Sequence, residues 1–385
     1  MRKYAFAVVA LTLLAGSAAS GQAPSPVVLH FRQYREAIAR GDLVAAEGAA
    51  AFALEASEQS DAAGGRTGVL ALNLARVRLQ LGRTQAASAP AQRAYEIARS
   101  DASAGIDPDM ASLIWGRVRL SLEGFAAADF LADTLGRTAG REPLLGDRYD
   151  AADQLGMWAT GARNYIVARR AWAYAAESAR GAPFDASYAR GRALTYEAIA
   201  IALQSLTREP VMSNMMARNV QERLIEAHAL VRPFAFMPSD GTVTAVHRLY
   251  ADILGWEQIT NSKVVSDGSR RVSGDRSIPA LPFGANPASI DGVPTCVVRR
   301  VAGERLRYPR PQATEGQIAA VVVALRFDEA GAQIGTEIAS AIGDQDFERA
   351  VSETAATWTY AAQVANGCKL LRVYFVPVGF FVFEE

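Results

Sequence analysis

Histidines, cysteines and paired carboxylates are the side chains that carry metal, nucleophilic and acid–base chemistry, and this chain has few of them at useful spacing. Its three histidines are His30, His228 and His247. None stands in a His-Glu-x-x-His pair, and neither a Gly-x-Ser-x-Gly nucleophile turn nor a phosphate-cradling glycine loop occurs. His228 and His247 fall in helical stretches, where a histidine usually serves packing. Asp344-Gln345-Asp346 could offer oxygen ligands to a cation, but the further ligands of a calcium loop are missing; carboxylates ahead of an apolar helix face read better as a helix start. Cys296 and Cys368 lack the close spacing of a zinc knuckle or a redox pair. They leave a disulfide or two buried thiols, and the even count in an exported chain favours the bond. No catalytic residue, cofactor or metal site is expected, and the residues point away from an enzyme.

The elements that must position these residues are bounded by composition. A chain of 385 residues, half of them hydrophobic, has room for two domains or three. Forty basic residues balance forty acidic ones, so the general attraction that a nucleic-acid or anionic-membrane binder needs is absent. Only Lys3, Lys263 and Lys369 are lysines, which reads as a coding bias. Arg2 and Lys3, the apolar run Ala5 to Ala15 and the small residues Ala18-Ala19-Ser20 form an export signal, cut near residue 20. The run is too short for a bilayer, which takes about 20 residues. If the signal is cut, no transmembrane span is expected and the product is periplasmic.

Residues 27–262 are Ala-rich and helical in period. Phe31, Tyr34 and Ile38 share a face, as do Leu70, Leu74, Val77 and Leu81, and then Met110, Ile114, Val118 and Leu122. Breaks at Gly41-Asp42, Gly82-Arg83, Glu123-Gly124 and Gly161-Ala162 recur at intervals of 41, 42 and 37 residues. Each is followed by an Ala-rich second helix, so the span predicts helical hairpins. It resembles the tetratricopeptide repeat, which implies a solenoid; an ordinary helical bundle is the alternative. Pro90 inside a second helix should kink it. If the hairpins stack, Tyr34, Tyr95, Trp115, Trp158, Tyr165 and Trp172 could line a groove for a peptide. The pattern stops at 263–293, which reads as a flexible linker.

Residues 294–385 change class. Val321, Val323, Leu325 and Phe327 alternate as a strand, Asp328-Glu329-Ala330-Gly331 makes a tight turn, and Gln333 to Ala339 returns as a second strand. A helix with Phe347, Ala350, Val351, Thr354 and Trp358 on one face should cover this hairpin. The last strand, Leu371 to Phe383, contains Pro377, which cannot donate to a ladder and predicts an edge position. The fold class expected is α+β: an all-α array of helical hairpins, then a small α+β domain with an antiparallel sheet.

This tail resembles the C-terminal domain of the TonB energy transducers. Tyr308-Pro309, the strand Val321 to Phe327 with Asp328 and Gly331, and the helix with Gly343, Phe347, Ala350 and Trp358 align without a gap. Asn366-Gly367 and Val376-Pro377-Val378-Gly379-Phe380 fit its closing strand. The resemblance implies a domain that adds an extended partner peptide to a sheet edge, with Tyr308, Pro309, Tyr374, Val376, Val378 and Phe380 as partner-binding residues. The expected function is a periplasmic protein–protein interaction protein serving envelope transport or assembly, with protein or peptide partners and no nucleic acid. The alternatives are an anchored energy transducer acting on outer-membrane receptors, if the signal stays uncut, and a structural module that forms a homodimer through its last strand.

Overall fold

The computed structural model describes residues 25–60, 64–101, 103–181, 186–207, 212–261, 284–307, 309, 312, 318–364 and 367–380. The expected export signal, most of the expected linker, Tyr308, and Phe381 and Phe383 of the last strand lie outside them. The described chain is mostly helical with small antiparallel sheets, an α+β composition. No described helix is long and apolar enough to cross a membrane. Contacts divide the chain into two compact units, Met1–Ala186 and Ser187–Glu385.

The first unit is built from helical hairpins: α1 (Pro26–Arg40) with α2 (Leu43–Ser60), α3 (Gly65–Gln80) with α4 (Thr84–Ser100), α5 (Pro108–Glu123) with α6 (Phe125–Arg137), and α7 (Leu145–Gly161) with α8 (Tyr165–Gly181). Each helix packs on its neighbour in sequence, and α3 also meets α5, α5 meets α7, and α6 meets α8. The second helices bury alanines on one side, such as Ala46, Ala50 and Ala53 in α2 or Ala87, Ala91 and Ala94 in α4. Side chains that small let two helix backbones approach closely. The first helices bring the larger apolar groups, including Phe31, Tyr34 and Ile38, then Leu70, Leu74 and Val77.

The hairpins turn where left-handed backbone is available. Gly41 (φ 72°) and Gly82 (φ 71°) end α1 and α3, with Asp42 N–H bonded to Ala37 O and Arg83 N–H to Arg78 O. Gly124 (φ 61°) joins α5 to α6. The fourth break differs from its expected place. Helix α7 runs on through Gly161, and the left-handed residue is Arg163 (φ 58°), with Asn164 N–H closing onto Ala159 O. Pro90 does not end α4 either. It leaves the carbonyl of Ala86 without an intrahelical donor, and Arg78 Nη1 supplies one at 2.7 Å.

The second unit joins three helices to the sheets. Helices α9 (Ala186–Leu206), α10 (Asn214–Ala235) and α11 (Ala245–Asn261) precede β1 (Ser289–Ile290), β2 (Val293–Pro294), β3 (Val297–Ala302), β4 (Ala319–Phe327), β5 (Gln333–Ile342), α12 (Gln345–Ala355), β6 (Thr359–Gln363) and β7 (Val373–Phe380). The strands form a β1–β2 hairpin, an antiparallel β3–β6 ribbon and an antiparallel sheet in the order β5-β4-β7. Asp328 Oδ1 accepts from the amides of Ala330 and Ala332 and closes the β4–β5 turn. Asp344 caps α12 through the amide of Asp346, while Asp346 itself meets Arg349 and Gln312, so the acidic pair serves a helix start.

Central strand β4 is buried on both faces. Its odd residues, Val321 to Phe327, pack with Phe347, Val351 and Ala355 of α12. Its even residues, among them Ala320, Val322 and Ala324, are equally buried, and α11 packs on β4, β5 and β7. The sheet therefore has two covering helices where one was expected. Helix α11, expected to belong to the helical array, shares a compact unit with the tail.

Candidate functional site

The last strand lies at the sheet edge, paired through β4 on one side. Tyr374 stands opposite Leu325, Val376 opposite Val323, Val378 opposite Val321 and Phe380 opposite Ala319. Side chains alternate across a strand, and these four project toward α12. Tyr374 and Phe380 are buried there, Val376 and Val378 half-buried. Tyr374 packs edge-on against Phe327 and Phe380 against Phe347. The Tyr374 hydroxyl donates to Cys296 O at 3.0 Å and accepts from Leu371 N–H at 3.2 Å. Burial raises its pKa, so it stays a neutral donor. Tyr374 and Phe380 thus build the core, and their main-chain groups face β4, so an edge partner would have to pair with the neighbouring residues. Pro309 is half-buried, and no hydrogen bond among the described residues brings it to this strand; Tyr308 lies outside the described residues.

The outward main chain belongs to the other parity. Phe375 N–H donates to Asn286 Oδ1 at 2.8 Å, and Asn286 Nδ2 donates to Phe375 O at 2.9 Å. The main-chain groups of Phe375 therefore face away from β4, and by the period of two so do those of Val373, Pro377 and Gly379. Pro377, with no N–H to offer, sits where a missing donor costs the sheet nothing. The Phe375 side chain is buried against Tyr250, Phe236 and His247, at ring separations of 5.3, 5.9 and 6.0 Å. The sequence pointed to this strand and missed Asn286, whose only local signal is the turn-forming Asn286-Pro287 pair.

Cys296 and Cys368 are bonded, Sγ to Sγ at 2.02 Å. The bond ties the start of β3 to the β6–β7 connection, where Cys296 N–H also reaches Lys369 O and Lys369 N–H reaches Pro294 O. Beside this staple, the beginning of β7, Ile290 of β1 and the α10–α11 connection enclose a cleft of about 330 Å³. Phe236, Leu371 and Val373 line it with His247. Lys369, Arg372 and Glu329 stand at its rim. Burial depresses the pKa of His247, and its Nδ1 accepts from Thr244 N–H.

The other edges differ. The β3–β6 ribbon is short, carries Arg299 and Arg300, and has a register shift between Arg300 and Ala302, features that discourage further pairing. Two ionisable groups lie behind the sheet, His228 buried and Asp252 half-buried. Asp252 of α11 meets Ser340 Oγ at 2.7 Å, and desolvation lifts its pKa to about 6. His228 Nε2 meets Tyr250 Oη at 2.8 Å, and burial drops its pKa to about 4.

Of the aromatics proposed to line a groove in the helical array, Tyr34 and Trp172 are buried in its core, while Tyr95, Trp115, Trp158 and Tyr165 are half-buried. No protein-family model and no curated protein sequence matches this chain.

Proposed function

We propose that this chain is an exported envelope protein that binds protein partners through two surfaces, a tetratricopeptide-like helical array and a TonB-like tail that adds an extended peptide to its sheet. The observation that carries this reading is the main chain of β7: Phe375 turns its N–H and C=O out of the sheet, and the group that meets them is an amide. A sheet edge of this kind gives a peptide main-chain hydrogen bonds, while alternate side chains supply selectivity. The order hairpin, covering helix, edge strand supports the resemblance, and the bonded cysteines fit an oxidising compartment such as the periplasm. The array contributes exposed apolar side chains, Leu122, Phe125 and Ile166, near its hairpin turns, where a second partner segment could rest.

Photocrosslinking from single positions of the exported full-length chain tests the tail. A photoreactive phenylalanine at Val378 should capture a discrete envelope protein, and the same residue at Glu348 on α12 should not. Equal labelling from both positions, or none from Val378, would remove the strand-pairing reading.

A further inference from the structure

The outer edge of β7 is occupied at Phe375 in this structure. The Asn286 carboxamide has the composition of a peptide group, and it makes with Phe375 the two bonds that a neighbouring strand residue would make, at 2.8 and 2.9 Å. We propose that the outer edge of β7 and the cleft beside its first residues form one docking site, for an extended peptide that carries a bulky apolar side chain next to an acidic one, and that Asn286 is the group such a peptide displaces. The proposal rests on the strand-pairing reading above and adds the partner's chemistry and the occupant it displaces at Phe375.

The geometry and the charges of the site support each part. Asn286 shows that the main chain at Phe375 can pair with an amide on its outer side, and with Asn286 withdrawn the outward groups would run from Val373 through Phe375 and the Pro377 carbonyl to Gly379. A peptide laid on this row would pass the cleft where β7 begins, since Leu371, Arg372 and Val373 line it together with Ile290 and Phe236. Its lining includes the apolar side chains of Phe236, Ile290, Leu371 and Val373, and its volume of about 330 Å³ takes one large side chain. The rim carries two cations, Lys369 and Arg372, each paired with a carboxylate. Lys369 and Arg372 have side chains 40% and 25% exposed, whereas the carboxylates that pair with them, Asp291 and Glu329, are 84% and 90% exposed. Pairs with one partner so exposed are weak, so a carboxylate from an arriving peptide can exchange for Asp291 or Glu329.

The test uses the full exported chain and two fluorescein-labelled nonapeptides of alternating Val and Thr with a central Phe, one flanked by Glu and the other by Lys. Anisotropy titration reads binding, and amide hydrogen exchange over residues 373–380 reads where it occurs. The wild type should bind the Glu peptide more tightly than the Lys peptide, a preference reduced by salt and by Arg372→Gln. Asn286→Ala should bind the Glu peptide at least tenfold more tightly than the wild type, with exchange over 373–380 slowed in the complex. Asn286→Asp, which keeps the acceptor for the Phe375 amide and loses the donor, should fall between the two and serves if the alanine variant does not fold. Binding that slows exchange in β7 but is equal in wild type and Asn286 variants, or indifferent to Glu against Lys, overturns this proposal and leaves strand pairing standing. No binding of either peptide to any form, with exchange unchanged, removes both.

Discussion

Asp252 and His228 titrate in opposite senses and sit on facing helices, which makes their joint effect on stability readable one residue at a time. The Asp252 carboxyl has its pKa raised to about 6 by burial. The folded chain therefore takes up a proton there as pH falls through 6, well before the unfolded chain does, and acidification from pH 7 to 4 stabilises the fold by at most about 3 kcal/mol. His228 has its pKa lowered to about 4. It stays neutral in the fold while the unfolded imidazole charges below its ordinary value, so the same acidification destabilises the fold by about 3 kcal/mol. The two contributions nearly cancel. Asp252→Asn should expose the histidine's share, with stability falling more steeply than in the wild type between pH 6.5 and 4, and His228→Gln should expose the aspartate's, with stability shifted upward relative to the wild type as pH falls from 7 to 4. Urea denaturation at pH 7, 5.5 and 4.5 checks this; two variants with the wild-type slope would show that neither group is coupled to folding.

Helix packing in the first unit depends on where side chains are missing. A Cβ on Gly156 of α7 would lie 2.5 Å from the ring of Trp172, which is fully buried on α8. The glycine is what allows an indole between two helix backbones. Gly156→Ala should therefore destabilise the chain by about 1 to 3 kcal/mol through overpacking. A Cβ on Gly48, inside α2, would meet nothing within 4 Å. Gly48→Ala should stabilise by up to about 1 kcal/mol, because alanine loses less backbone freedom in a helix. Thermal melts of the two variants should move in opposite directions. The same reasoning explains why α4 tolerates Pro90: Glu47 of α2 holds Arg78 at 3.0 Å, and Arg78 in turn serves the Ala86 carbonyl.

Each compact unit carries its own long-range tie. In the first, Arg76 of α3 grips Asp147 of α7 through both oxygens, at 2.6 and 3.2 Å, with both side chains nearly buried. In the second, the Cys296–Cys368 bond spans 72 residues. Asp147→Ala leaves a buried guanidinium short of its partner and should cost about 3 kcal/mol, the low end for such pairs because Asp150 also acts on Arg76. Reducing the disulfide should cost up to about 4 kcal/mol by loop entropy. Distant perturbations add independently. Calorimetry should then show Asp147→Ala lowering one unfolding transition and reduction lowering another; a single transition that responds equally to both would mean that the two units unfold as one.

Local chemistry was legible in the sequence. Gly41, Gly82 and Gly124 mark hairpin turns because a left-handed residue is settled within a few neighbours, and Val321 to Phe327 declare a strand because side chains alternate. The turn at Asp328 and the helix start at Asp344 are likewise set by a side chain and the amides beside it. What the tertiary structure decided lies at longer range. The fourth turn moved to Arg163, since α7 continued through Gly161. The second face of β4 went to α11, whose sequence looks like any other amphipathic helix of the array. Asn286 found the Phe375 main chain 89 residues away, and Arg76 found Asp147 across 71. Such pairings depend on which surfaces lose water together when the chain closes up, and a run of adjacent residues carries no record of that.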